Sequence, residues 1–296
     1  MSNDFVNDTI YLTNTSKGSS RNLTFSVERP MQDDGWSWRA SYTSGRVREV
    51  QYGTSSVARS NWANRAILNQ GEDVVSRGEL EIRHRFLAQV RKSFDWGNSG
   101  HRTSVSLLYE GRSGLPFSFR ASNDVNNDGV TNNDLIFIPE RGDPRVTFRD
   151  HVVGGRVVQT AAEAEEIFFR MVSNHGLQTG QVAPSGAGRY PFVHQFDFNI
   201  TQEFNLPGWR HNLELSLDIL NVGNLLNSSW GLIRGSNSFF VKSEPVAQVT
   251  YNSATDSYTY GNINENLADR NFNPFNNRGE PDASRWSGLV SVRYRF

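Results

Sequence analysis

Three features of the sequence predict an all-β fold, the wall of an antiparallel transmembrane β-barrel. Polarity alternates with period two over runs of about 9 to 15 residues. Aromatic residues reach 12% although the mean hydropathy is only -0.56. Short turns also alternate with long connections, the asymmetry of bacterial barrels. A soluble strand is typically about 5 or 6 residues long, whereas a tilted membrane strand needs about 9 to 11.

Seven runs carry the alternation. Leu23, Phe25 and Val27 oppose Asn22, Thr24, Ser26 and Glu28. Trp36, Trp38, Ala40 and Tyr42 oppose Ser37, Arg39, Ser41 and Thr43. The third run, Leu80 to Phe94, sets Leu80, Ile82, Phe86, Ala88 and Val90 against Glu79, Glu81, Arg83, Arg85, Gln89 and Arg91. Val105, Leu107 and Tyr109 follow, then Phe196, Phe198, Ile200 and Phe204, then Leu213, Leu215, Leu217 and Ile219. The last run, Trp286 to Phe296, places Val290, Val292, Tyr294 and Phe296 on one face and Arg293 and Arg295 on the other. Arg, Glu and Asp at successive positions of the polar faces suit a hydrated lumen, and Trp36, Trp96, Trp209 and Trp286 near run ends suit interfacial girdles. A soluble β-sandwich also alternates and stays open as the bland reading.

The turns 30–35, 95–101 and 206–210 are tight, while 45–77, 112–191 and 223–284 are long. Short turns face the periplasm in such barrels, which leaves Phe296 at the periplasmic rim. Thr160-Ala-Ala-Glu163 resembles a capping box and predicts a short surface helix to Val172. Phe239 to Tyr251 with Ser257 to Gly261 reads as a loop hairpin, and Asn262 to Asn277 as irregular loop.

Composition excludes other classes. No stretch approaches the roughly 20 apolar residues of a spanning helix. A net charge of -1 gives no basic footprint for nucleic acid. The absence of cysteine removes disulfides, thiolate metal sites and cysteine nucleophiles. No basic segment followed by an apolar one begins the chain, so no signal peptide is read there. Ser113-Gly114 lacks the strand-to-helix context of a nucleophile turn, the 6 histidines show no metal spacing, and no enzyme is expected.

One constellation carries chemistry. Asp124, Asn126, Asp128, the Val130 carbonyl and Asn132 occupy positions 1, 3, 5, 7 and 9 of a calcium loop, with Gly129 at the sharp turn. The closing acid, Asp134, falls one residue early, since Leu135 occupies position 12. The expectation is a structural calcium ion; an Asn/Asp-rich turn without metal is the other reading.

Several ordered phrases resemble the C-terminal part of TonB-dependent outer-membrane receptors, in the Oar-like group with a carboxypeptidase-regulatory-like domain. They are Ser60-Asn-Trp62, His84-Arg85, Leu108-Tyr-Glu-Gly-Arg-Ser-Gly-Leu-Pro-Phe117 and Asn133-Asp-Leu-Ile-Phe-Ile-Pro139. Leu217-Asp-Ile-Leu-Asn221, Asn224-Leu-Leu-Asn227, Trp230-Gly231 and Ser284 to Phe296 complete the series. The resemblance spans nearly all of residues 1–296 and implies one partial barrel domain, its plug and earlier strands absent. It implies a wall of about seven strands, an open curved sheet when taken alone, in the outer membrane of a Gram-negative cell. The implied activity is uptake of large substrates. The implied partners are outer-membrane lipid, the TonB complex through the missing N-terminal region, the barrel-assembly machinery through the last strand, and an unidentified substrate. Two other readings stand beside it, a surface adhesion or structural barrel with calcium-stabilised loops and a soluble secreted sandwich that binds glycans.

Overall fold

The computed structural model describes residues 10, 12–51, 53, 55–68, 70–131, 133–206, 211–235, 242–272 and 284–296. A first hairpin joins β1 (Ser19–Arg29) to β2 (Trp36–Glu49). Then come α1 (Ala58–Ala63), β3 (Ser76–Arg77), and the hairpin of β4 (His84–Asp95) and β5 (Arg102–Arg112). The next connection holds β6 (Pro116–Ala121), β7 (Phe137–Ile138), β8 (Val146–Phe148), β9 (His151–Val153) and β10 (Arg156–Gln159). It continues through α2 (Ala161–His175), β11 (Gln181–Val182) and β12 (Gly188–Arg189). After β13 (Val193–Leu206) and β14 (His211–Leu220) come α3 (Val222–Leu226), β15 (Ser243–Asn252), β16 (Ser257–Gly261) and finally β17 (Ser287–Arg295).

The seven long strands pair in the order β1-β2-β4-β5-β13-β14-β17, with β3 extending β2, and the sheet curls into a half-barrel. Every pairing in it is antiparallel. Each alternating run of the sequence becomes one of these strands. One detail differs from expectation. Leu80 and Ile82 precede β4, because the Glu81 N–H closes a turn onto Gly78 (3.0 Å) and its carboxylate turns inward to Arg189 (2.6 Å). The short segment Thr9 to Asn14, readable in the sequence as a remnant or loop strand before the seven runs, forms no strand among its described residues, and Thr9 and Tyr11 lie outside them. Trp209 and residues 239–241 also lie outside the described residues.

Register explains why the wall has two unlike faces. A one-residue slip would exchange them, so each apolar run fixes the pairing of its neighbours. The row Trp38, Val90, Leu107, Phe198, Ile219 and Gly288 crosses six strands on one face. On the other face hydroxyls and ions meet: Thr24 with Thr43 (2.9 Å), Ser93 with Ser104 (2.9 Å), and Asn199 Nδ2 donating to Asp218 (2.7 Å). Glu203 and Glu214 stand directly opposite one another, but the same row continues to Arg102 on one side and Arg293 on the other. Arg293 and Arg295 approach Glu214 at 3.3 and 3.2 Å, which offsets the like-charge contact.

The β1–β2 turn shows why its glycine is needed. Gly35 has φ +73°, and a Cβ there would strike the Ser93 carbonyl oxygen. That carbonyl accompanies the Ser93 N–H, which donates to Gly35 (2.8 Å), so the turn is pinned to β4. A side chain would both strain the backbone and break this approach.

The long connections are not loose loops. Residues of 115–190 and 243–272 fold into a cap, with a five-stranded sheet of order β12-β6-β15-β16-β8. The hairpin β15–β16 forms as expected, but it is built into this sheet, with β15 parallel to β6 and β16 parallel to β8. The expected surface helix is longer and half-buried. Thr160 and Glu163 make the reciprocal capping box, Gly176 ends the helix at φ +63°, and Ala164, Ile167, Phe168, Met171 and Val172 point into the core. The Asn-rich tract after Asn262 is likewise ordered as far as described: a 3-10 turn at Glu265–Ala268 buries Leu267, and Phe272 packs near Phe117 and Tyr190.

Nearly all of the buried apolar core lies in this cap. Phe117, Phe119, Ile136, Phe168, Val246, Tyr260 and Leu267 are essentially inaccessible, whereas Phe25 is 64% exposed and Val290 73%. Phe168 meets Phe148 and Tyr260 at ring distances of 5.7 and 5.4 Å. Truncating it removes a full aromatic from a packed interior, so Phe168→Ala should destabilise the cap by about 3 to 5 kcal/mol. Limited proteolysis should then cut within 115–190 while β1 to β5 stay protected; unchanged resistance of the cap would contradict this account of its core.

Candidate functional site

The Asp124 loop leaves β6 and is fastened to β15 before it turns. Ser122 N–H donates to the Ala247 carbonyl (2.7 Å). Asn123 grips Val249 twice, its Nδ2 donating to the carbonyl and its Oδ1 accepting from the N–H, both at 2.8 Å. Sequence reading passed over Asn123, since nothing local marks an asparagine whose partner lies 126 positions away.

From that anchor the chain wraps its own carboxylates. Asp124 accepts from the N–H groups of Asp128 (3.2 Å) and Gly129 (2.9 Å). Asn126 Oδ1 accepts from Asp128 N–H (2.9 Å), and Asp128 from Val130 N–H (2.8 Å). Asn127 and Gly129 take φ of 59° and 81°, the left-handed turns such wrapping requires. Asp134 is buried and accepts from Val125 N–H (2.7 Å), which closes the loop on itself. Burial raises the Asp134 pKa above the usual carboxylate range, and the charges of Asp128 and Asp124 push in the same direction.

The expected ligands are therefore gathered in part. Asp124, Asn126, Asp128, Val130 and Asp134 share one loop, and Asn132 lies outside the described residues. Among the described residues no group of three or more His, Asp or Glu forms a metal cluster, and an EF-hand-type set here would depend on the neutral oxygens of Asn126 and Val130. Asn133, which the sequence reading did not single out, sits 1% exposed and donates Nδ2 to Asp128 (2.7 Å), while its buried Oδ1 has no hydrogen-bond partner.

Ser113 is engaged by the wall. Its Oγ accepts from His84 N–H (3.0 Å) and donates to the His84 carbonyl (3.4 Å), so the hydroxyl seals the β4–β5 edge. A cleft of about 270 Å³ beside it, bordered by His175, Arg189, Tyr190 and Arg270, lies where cap meets wall.

The second feature is the exposed apolar face. Its histidines are tied to tyrosines: Tyr42 with His84, Tyr109 with His194 and Tyr294 with His211, each hydroxyl 2.8 to 2.9 Å from an imidazole Nδ1 and each pair stacked. The Tyr109 ring lies over Gly111, where a Cβ would strike it. Trp36, Trp96 and Trp286 stand exposed at strand ends, with Lys92 Nζ 5.0 Å from the Trp36 ring. Polar-tipped aromatics at the edges of an apolar surface suit a boundary between a greasy and an aqueous phase. No helix among the described residues is long and apolar enough to cross a membrane.

Comparison with protein-family models, curated proteins and solved structures finds no match to this chain.

Two partly buried acids, Glu244 in the cap and Glu79 in the connection between β3 and β4, make the fold sensitive to pH. Burial raises Glu244 to about 7, against the Tyr190 hydroxyl that donates to it and the nearby Arg120 charge. Burial, then the neighbouring Glu49 charge, raises Glu79 to about 7, against Lys242 and Arg65. Both carboxyls hold protons in the folded chain that an unfolded chain releases, so their contribution is full below about 4.5 and is lost as pH rises through about 7. The cap should therefore melt at higher temperature at pH 5.5 than at pH 8. Glu244→Gln, which keeps an acceptor for Tyr190, should raise stability at pH 8 and flatten the dependence. A melting temperature that rises steadily with pH would refute the assignment.

Proposed function

We propose that this chain forms part of the wall of an outer-membrane β-barrel, with the cap on the extracellular side, in a TonB-dependent transporter for large substrates. One observation carries the membrane part. The apolar run is not level with the hydrogen-bond ladder but drifts across it. The ladder row through Phe25 passes Tyr42, Phe86, Gly111 and His194, and continuing the β13–β14 and β14–β17 registers past their last paired residues would bring it level with residue 284. The apolar run is centred near Phe25 in β1 and near Ser291 in β17. This is a drift of about seven residues over six strand steps, or roughly 40° at about 3.3 Å per residue and 4.8 Å per strand. Strands of membrane barrels tilt by about 35 to 45°.

The height of the run agrees. On β13 it extends from His194 to Phe204, about 33 Å of strand and so about 25 Å measured across a 40° tilt, the height of an outer-membrane apolar band. A level belt on tilted strands needs this drift; a sandwich needs only a covering sheet. The cap core packs on itself and leaves the wall's apolar face open, which favours the membrane over the soluble sandwich. The TonB-dependent identity rests on the ordered phrases from Ser60 to Phe296. The adhesion reading draws on the same cap and differs only in lacking transport.

We further propose a structural calcium ion in the Asp124 loop, held by Asp124, Asn126, Asp128 and the Val130 carbonyl. The Oδ1 of buried Asn133 beside Asp128, without a hydrogen-bond partner among the described residues, and the charges of Asp128 and Asp124 acting on Asp134 favour a cation there. Calcium should raise the melting temperature of the cap and slow its proteolysis. Asp128→Ala should remove both effects, and equal behaviour of the two proteins with and without calcium would eliminate the ion.

The wall is tested by placing one charge on each face. Leu217→Arg, at the centre of the belt, should cost about 2 to 4 kcal/mol of folding free energy in membranes, whereas Ser216→Arg on the polar face should cost little. Denaturant titration in lipid vesicles reads the difference, and heat-modifiable gel migration reports assembly. Equal costs, or a protein that stays soluble without detergent, would rule out the membrane wall.

A further inference from the structure

Beyond the aromatic row of Phe25, Tyr42 and Phe86, the apolar face turns basic. Arg21 stands directly opposite Arg46, and Arg48 directly opposite Arg77. Period two places Arg21 on the face of Leu23 and Phe25, and Arg46 and Arg48 on the face of Tyr42. Like charges directly opposite are destabilising in a sheet, so this arrangement calls for an anion. Among the described residues no carboxylate pairs with Arg21, Arg46 or Arg48. Of the nearby acids, Glu81 serves Arg189, the Val47 N–H and, at 3.8 Å, Arg77, and Glu49 accepts from the Glu79 N–H, which leaves Arg21, Arg46 and Arg48 without a carboxylate among the described residues. Arg77 is partly buried and donates to the Gly186 carbonyl (2.7 Å), and its pKa is lowered by burial first, against the charge of Glu81, with the charges of Arg48, Arg83 and Arg46 adding to the lowering.

Directly along the strands from these arginines lies an open apolar groove of about 640 Å³. Ala40 and Ala88, which pair across β2 and β4, form its floor, and Phe25, Tyr42 and Phe86 stand at its sides. Arg21 is four residues from Phe25, about 13 Å of strand and about 10 Å in height at the 40° tilt. That spacing sets a cationic level above an apolar trough, in the order in which an anionic lipid presents phosphate and then acyl chain. Guanidinium forks match phosphate oxygens in pairs.

We propose that Arg21, Arg46 and Arg48, with the Ala40–Ala88 groove beneath them, bind a phosphorylated, multiply acylated lipid of the surrounding leaflet. This rests on the membrane reading above. A free phosphate would leave the groove unused, and an acidic protein segment would have no use for a trough shaped by two alanines between aromatics.

The protein is incorporated into phosphatidylcholine nanodiscs and titrated with lipid A, bound lipid being counted by native mass spectrometry. Joint replacement R21Q, R46Q and R48Q should weaken lipid A binding at least about tenfold and leave binding of the dephosphorylated lipid unchanged. Ala88→Phe, which fills the groove, should weaken lipid A binding while heat-modifiable migration persists. Arg39→Gln, on the opposite face, should leave it unchanged. Equal lipid A affinity in the triple variant, or full displacement by inorganic phosphate with no effect of Ala88→Phe, would overturn the lipid site. Failure of the unaltered protein to enter nanodiscs would instead sink the membrane reading on which it rests.

Discussion

The molecule depends on one uninterrupted backbone ladder. From β1 to β17 each long strand gives its N–H and C=O groups to the next, so the wall satisfies its polar backbone without help from either face, except along the outer edges of β1 and β17. This leaves the side chains free to make the two faces as unlike as the sequence dictates. In a medium that offers no hydrogen bonds, a broken ladder would expose groups that nothing could satisfy.

Wall and cap solve the problem of stability in opposite ways. The cap buries its aromatics among one another and places one ionisable acid, Glu244, where water cannot fully reach it. The wall buries almost nothing and depends on cross-strand register, with tyrosine–histidine pairs and arginine–carboxylate pairs tuning its two edges. A mutation in the cap is therefore felt through packing, and one in the wall through which face it meets.

The wall was legible in the sequence because alternation is a local signal. Trp36 to Tyr42 or Leu213 to Ile219 states its face without knowledge of any other segment. The cap was not, because its information lies in encounters between distant residues. The helix start at Thr160 could be read from four adjacent residues, but the burial of Phe168 against Tyr260 could not. Leu80 and Ile82 misled for the same reason: their alternation is genuine, but the pull of Arg189 on Glu81, 108 positions away, turns the chain before β4 begins. Half of the Asp124 loop was legible from Asp124 to Asp128, whereas the role of Asn123 as its anchor needed β15.

The parallel pairing of β6 with β15 bears on the order of folding. Arg120 and Ser243 meet across 123 intervening steps of chain, and β13 and β14 lie between them in sequence. Closing so long a loop carries an entropic cost that is recovered only when the ends are already near one another. The β13–β14 hairpin returns the chain to the same end of the sheet and so brings them near. The cap is thus a late event in folding, one that reports on completion of the sheet beneath it.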